Sequence, residues 1–268
     1  MVKIRFNDEP TDEIKKLQFS VKNGFKLNVN KFEIHRGAIY LFSGKIESHG
    51  KEKKVVVFKN HCICGIYISH QHADHSFGLP ALLLWMRLMG RKRALKIMGG
   101  PGLEGWLKRL LDLAYPGSFA PEKTFPIQVE VIQPNQIYSW GDTEFHTAVS
   151  RHSVRNCSLR IHANTGVVCY SGDGAPSAET EALFQGSDLL VHECYSDATP
   201  MDTHASAEYL IPMAERLGIA SLYLLHLGVE YKDDVVRRVG SWTGNTRVHL
   251  PFPGQKVDLG QDTGFDPS

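Results

Sequence analysis

The sequence predicts a layered α/β sandwich, sheets covered by helices, and two observations carry that prediction. Short β-prone runs give way to a mixed alternation of strand-like and helix-like segments along the 268-residue chain. Composition is globular, with 42% hydrophobic and 22% charged residues, which excludes a disordered chain, a collagen-like repeat or a coiled coil.

In the first sixty residues, apolar runs at 37–43 and 54–58 flank the charged stretch 45–53. This is the pattern of antiparallel strands and a hairpin. From residue 65 the order becomes strand then helix. Residues 65–69 read as a short strand, whereas 79–89 are apolar over a longer stretch without strand punctuation. Leu103, Trp106, Leu107, Leu110 and Ala114 recur at helical spacing and mark a second, amphipathic helix. Strands are expected at 128–132, 144–149, 158–162 and 166–170. The alternation returns with a helix at 178–184, a strand at 188–191, a helix at 205–217 closed by Gly218, and a strand at 222–225. No segment reads as a linker, so one large core over residues 1–268 is expected.

Lys and Arg total 30 against 29 Asp and Glu, a formal net charge of +1. That balance provides no global attraction to phosphate polymers or anionic membranes, so any nucleic-acid affinity is local. The best local cluster is Arg87, Arg91, Lys92, Arg93 and Lys96, followed by Lys108 and Arg109. Its two readings are phosphate contacts and, more commonly, a solvated helix end. The five cysteines are odd in number and scattered, as expected of reduced thiols in a cytosolic protein. The first ten residues lack an apolar signal region, and the apolar stretch 79–86 is too short to span a bilayer. A soluble, cytoplasmic protein is the expectation. One count departs from average: 13 histidines, about 5% and roughly twice common usage, which asks for a metal or proton-transfer explanation.

Residues 69–76, Ser-His-Gln-His-Ala-Asp-His-Ser, place His70, His72, Asp74 and His75 in a turn between a predicted strand and a predicted helix. Chance would give His-x-His-x-Asp-His roughly 0.002 times in such a chain. Imidazole and carboxylate suit Zn²⁺, and a two-ion site needs more ligands than this turn holds. Candidates follow at the carboxyl ends of later predicted strands: His152, Asp173, Glu193 and His226. Open α/β sheets place ligands at those ends. His61, Cys62 and Cys64 lack the ligand count of a closed zinc site, and His146 and His192 read as structural.

With these blocks in order, the chain resembles the metallo-β-lactamase superfamily and, within it, the ribonuclease Z-like phosphodiesterases. The likeness runs over roughly residues 65–230. It rests on Ser69 to Pro80, the Gly-Pro turn of Met98 to Gly102, Arg151-His152-Ser153, Tyr170 to Asp173, Val191 to Cys194, His204 to Ala207 and Leu224 to His226. The resemblance implies a four-layer αββα sandwich of two mixed sheets flanked by helices. It implies two zinc ions per chain, with Mn²⁺ or Fe²⁺ as substitutes: one held by His70, His72 and His152, the other by Asp74, His75 and His226, with Asp173 bridging. It implies a phosphodiester substrate such as an RNA or tRNA 3′ end, hydrolysed by a metal-bridging hydroxide, and a homodimer. Asp74 would also accept the water's proton. His204 would donate a proton to the leaving group, oriented by Glu193.

Two departures from the family narrow the expectation. Residues 152–173 have room for a hairpin only, where tRNA 3′-end nucleases often insert a long arm, so a small or locally gripped diester is favoured. The amino-terminal 64 residues diverge and lack the family's Asp-x-Gly turn. Carbon-ester, lactone, thioester and sulfate-ester hydrolysis, or a weakly catalytic interaction subunit, are the alternatives.

Overall fold

The structure, a computed structural model, describes residues 2–6, 18–21, 25–35, 38–43, 63–141, 143–163, 166–251 and 256–259. Its first sheet contains β1 (Val2–Phe6), β2 (Gln18–Val21), β3 (Phe25–His35), β4 (Ala38–Ser43), β5 (Ile63–Ile68), β6 (Leu95–Gly99) and β7 (Ile127–Val131). Joined by β15 (Lys256–Leu259), they run β15-β1-β3-β4-β5-β6-β7, with β2 paired to β3. The second sheet holds β8 (Ile137–Trp140), β9 (Thr143–Val149), β10 (Cys157–Ala163), β11 (Gly166–Tyr170), β12 (Leu189–Glu193), β13 (Ser221–Leu225) and β14 (Arg247–His249), side by side in that order. Antiparallel β8 to β11 give way to parallel β11 to β14.

The two-residue alternation of side chains sorts the core into layers. Tyr67 on β5 and Met98 on β6 meet Phe145, Leu159, Val168 and Val191 of the second sheet, forming the apolar layer between the sheets. Their neighbours Ile66, Ile68 and Ile97 point the other way, onto α2 (Leu79–Leu88) and α3 (Leu103–Ala114). On the second sheet's outer face, Cys169, Leu190, Leu222 and Leu224 pack against α4 (Ala178–Phe184), α5 (Ala207–Arg216) and α6 (Lys232–Ser241). The result is helices, sheet, sheet, helices, the four-layer order implied by the resemblance.

The periodic elements fall where the sequence places them, α4 to the residue and the others within one or two. Described elements that went unread include β6, β8, β14, β15 and α6. Among the described residues of α6 only Val235 is buried, so its apolar signal is thin. Of the expected amino-terminal hairpin, residues 54–58 lie outside the described residues, and β4 pairs with β3 on one side and β5 on the other. His61 and Cys62 also lie outside them. Cys64 is buried between the sheets, and burial pushes its thiol up to about 12, which makes it a packing residue. The interval 152–173 is indeed a hairpin, β10 against β11.

The basic cluster divides. Arg91 is 2% exposed, and its guanidinium donates to the carbonyls of Ile63, Arg93 and Ala94 and lies over the Phe125 ring. Arg87 donates to Ser118 O, and Lys96 donates to Tyr138 Oη at 2.5 Å, 3.5 Å from Glu130. These three hold the fold together. Both sequence readings, phosphate contact and solvated helix end, are corrected for Arg91, because a buried guanidinium needs carbonyl acceptors and finds them at strand ends. No described helix is long and apolar enough to cross a membrane.

Candidate metal centre

Because β9, β11, β12 and β13 run in one direction, their carboxyl ends share one edge of the second sheet. That edge carries His152, Asp173, Glu193 and His226. The first sheet delivers residues 70–75 from the end of β5. Two bonds stitch the sheets there: Cys157 N donates to Ser69 O (3.0 Å) and Tyr67 Oη donates to Cys157 O (2.8 Å). Ser76 Oγ donates to His72 O (2.7 Å), closing the turn into the short helix α1 (Ala73–Ser76).

All seven residues named as metal ligands come together. Sets of donor atoms lie within 4.8 Å of one another in His70, His72 and His152; in Asp74, His75 and His226; and in His70, His75 and Asp173. Asp173 Oδ2 stands between the first two sets, 3.1 Å from His75 Nε2, 3.6 Å from His226 Nε2 and 3.9 Å from His70 Nε2. Asp74 Oδ2 is 3.1 Å from His75 Nε2 and 3.6 Å from His226 Nε2. A fourth set, Asp173, His204 and His226, competes for the same space. His226 adopts φ 56°, the left-handed region that costs a residue with a Cβ about 1–2 kcal/mol.

The electrostatics fit a cation. His70 Nε2 and His75 Nδ1 are buried without a hydrogen-bond partner, and such orphaned nitrogens are costly unless something else pairs them. Burial, then the neighbouring His75, pushes His70 down to about 3, so its imidazole is neutral and its lone pair available. His72 is lowered by burial and by His152. Burial works against the Asp173 carboxylate, yet His75 and His226 hold it well below the usual range. His152 Nδ1 donates to Thr203 O (2.9 Å), leaving Nε2 as an acceptor 3.1 Å from His72 Nδ1. Neutral imidazoles and ionised carboxylates at this density are a donor set for a borderline divalent metal.

Beside this cluster stands His204, its ring 5.1 Å from that of His152 and stacked at 6.0 Å on His226. Its Nδ1 lies 3.3 Å from Oε1 of Glu193, which is 2% exposed. The same oxygen accepts from Gly174 N (3.0 Å) and Ala205 N (2.9 Å). Contact with Glu193 outweighs burial and raises His204 above its ordinary value. His192 is apart from the cluster, buried with Nδ1 against Glu193 O (2.6 Å), and His146 lies 3.6 Å from Glu144. Both sit as the sequence reading placed them.

Two supporting residues escaped that reading. Asn156 is fully buried; its Nδ2 donates to Ser150 Oγ (2.8 Å) and Ser171 O (2.7 Å), and its Oδ1 accepts from Asp173 N (3.2 Å). It thereby ties the strand end before His152 to the loop of Asp173. Gly172 has φ 64°, and a Cβ there would collide with Asn156 Oδ1 and lie 2.7 Å from Ser69 Cβ. Neither position has a sequence signal of its own, since an Asn and a Gly in loops are commonplace.

A four-layer sandwich with histidines and carboxylates converging at its strand ends is the scaffold of a metal-dependent hydrolase. The family model described as the beta-lactamase superfamily domain matches residues 56–227, and the chain belongs to the metallo-β-lactamase superfamily, in its ribonuclease Z-like branch. Ribonuclease Z of Methanothermobacter thermautotrophicus is 24% identical over 220 residues, covering 62% of this chain and 70% of that one. Among solved structures, the metallo-β-lactamase fold protein YhfI of Bacillus subtilis matches with a TM-score of 0.61 at 17% identity, over 87% of this chain and 92% of its own. The short form of human tRNase Z matches with a TM-score of 0.58 at 18% identity, over 88% and 96%.

Proposed function

We propose that this chain is a dinuclear zinc phosphodiesterase acting on RNA 3′ ends or small, including cyclic, phosphodiesters. One observation carries the reading: a histidine held by a buried carboxylate stands at the rim of the ligand cluster. A phosphodiester expels a poor alkoxide leaving group, so a positioned proton donor is worth roughly 10²–10⁴ in rate. An activated carboxylic ester needs such help far less.

In this reading His70, His72 and His152 would hold one ion, Asp74, His75 and His226 would hold the other, and Asp173 would serve both. When bound, the ions supply Lewis-acid stabilisation of charge on the phosphoryl oxygens and acidify water. The chain's own residues do the rest. Asp74, its side chain 60% exposed and beside His75 and His226, reaches water and accepts the nucleophile's proton. His204 gives its proton to the leaving oxygen, and Glu193 fixes the ring's direction and favours its protonated form. Mn²⁺ and Fe²⁺ suit the same donors.

The short β10–β11 hairpin supports a small diester, or an RNA gripped elsewhere, over a tRNA held by an arm. Cytoplasmic location, one domain over 1–268 and homodimerisation belong to the same proposal; pairing of β1 with both β3 and β15 supports the single domain. The test is His204→Ala, assayed on the dinucleotide adenylyl-adenosine, whose leaving oxygen is an unactivated alkoxide, and on an activated carboxylic ester. The expected result is a loss of roughly 10²-fold or more on the diester and a much smaller one on the carbon ester. Equal losses would point to carbon-ester chemistry. Zinc well under one equivalent, with no hydrolysis of either, would point to an interaction subunit.

A further inference from the structure

A pocket of about 320 Å³ opens beside His204, lined by Arg151, Pro176, Pro200, Met201 and Tyr209 among others. Its size is that of a small-ligand site, and hydrogen bonds hold the backbone of Arg151, the Tyr209 ring and the loop at its rim. Arg151 is pinned through its main chain to Ala175 by two hydrogen bonds, 3.0 and 2.9 Å. Tyr209 Oη donates to Glu181 Oε1, while Arg216 holds the other oxygen of that carboxylate at 2.7 Å. The loop carrying Pro200 and Met201 is closed by Ser196 Oγ donating to Thr199 O (2.7 Å) and by the Asp197–Arg238 ion pair.

We infer that this pocket receives the leaving-side nucleoside of the diester, its base lying among Arg151, Met201 and the two prolines. The inference rests on the phosphodiesterase reading. If His204 protonates the leaving oxygen, whatever is attached to that oxygen lies on the pocket's side of the imidazole, away from the ligand cluster. The lining selects the chemistry. Proline rings, Met201 and a guanidinium offer flat apolar and cation–π surface to an aromatic base. A further phosphate fits less well, because Glu208 lines the same pocket and opposes a second anion. Arg151 is therefore a specificity-determining residue, distinct in its role from the proton donor beside it.

The test compares the zinc-loaded protein on adenylyl-adenosine and on the two analogues lacking one base, with the leaving side identified as the product released without phosphate. Removing the leaving-side base is expected to lower kcat/KM about tenfold in the wild type and less than about twofold in Arg151→Ala. The pocket-filling Ala198→Trp should lose the same discrimination. Equilibrium binding of adenosine to the metal-free protein, read by saturation-transfer NMR, is expected in the wild type and lost in both variants. A wild type indifferent to the leaving-side base, or an Arg151→Ala that keeps the full discrimination, overturns the inference while leaving the phosphodiesterase reading intact. If no dinucleotide is cleaved, that reading fails, and adenosine binding alone decides the pocket: its loss in both variants sustains the site, and its absence from the wild type overturns it.

Discussion

Replacing Glu193 with Gln isolates charge from shape at the proton donor. Gln has the same length, so its carbonyl oxygen still accepts from Gly174 N and Ala205 N, now 3.0 and 2.9 Å from Glu193 Oε1. What disappears is the negative charge 3.3 Å from His204 Nδ1. A hydrogen bond to a charged partner contributes about 1.5–3 kcal/mol and a neutral one about 0.5–1.5. The difference, about 1.4 kcal/mol, is about one pH unit. A proton donor must be protonated to act, so the rate falls as pH rises through the pKa of His204, which Glu193 holds above its ordinary value. In Glu193→Gln that alkaline limb is expected about one unit lower. The assay is the pH profile of kcat on adenylyl-adenosine, whose alkoxide leaving group requires the proton, paired with NMR titration of the His204 ring in metal-free protein. A limb that stays in place, or moves upward, would refute the assignment of Glu193 and His204 as a coupled pair.

Three further outcomes follow from the same geometry. Asn156→Ala leaves buried Asp173 N without its acceptor and removes the donor to Ser150 Oγ and Ser171 O; it is expected to cost about 2–4 kcal/mol in urea denaturation, with weaker zinc retention on dialysis, and a change under about 0.5 kcal/mol would contradict its tying role. Stripping zinc with a chelator should lower the melting temperature, since a ligand at a hundred times its Kd stabilises by about 2.7 kcal/mol, and returning zinc should restore it. In metal-free protein, His70 takes up a proton near 6.5 when unfolded and near 3 when folded. Stability should therefore fall as pH drops from 6.5 toward 3, and less steeply in His70→Asn; equal slopes would contradict a buried neutral His70.

The sandwich was legible wherever local pattern and tertiary packing agree. Residues 178–184 show their periodicity because they bury one face through Thr180 and Phe184, and residues 166–170 show as a short apolar run because the strand is buried on both faces. Polar α6 and the exposed edge strand β8 bury too little to leave a pattern. The candidate ligands were legible because four of them crowd into residues 70–75 and the others sit just past strand ends, a position that topology converts into proximity. Arg91 went the other way: its sequence neighbours are cationic, and only the fold shows it buried under Phe125 with carbonyls to bind.

By itself, then, the chain determined a layered α/β alternation and the metal turn, which depend on residue type and spacing, while the four-layer order and the set of seven candidate ligands came with the resemblance to a known family. The tertiary structure decided how far apart those ligands stand, which oxygen of Glu193 reaches His204, that Asn156 joins the two ligand loops, and that a pocket opens beyond the proton donor. Most of those facts arise from contacts between residues well apart in the chain, such as His72 with His152. Local propensity carries no information across such separations, because the side chains meet only after both sheets have packed face to face.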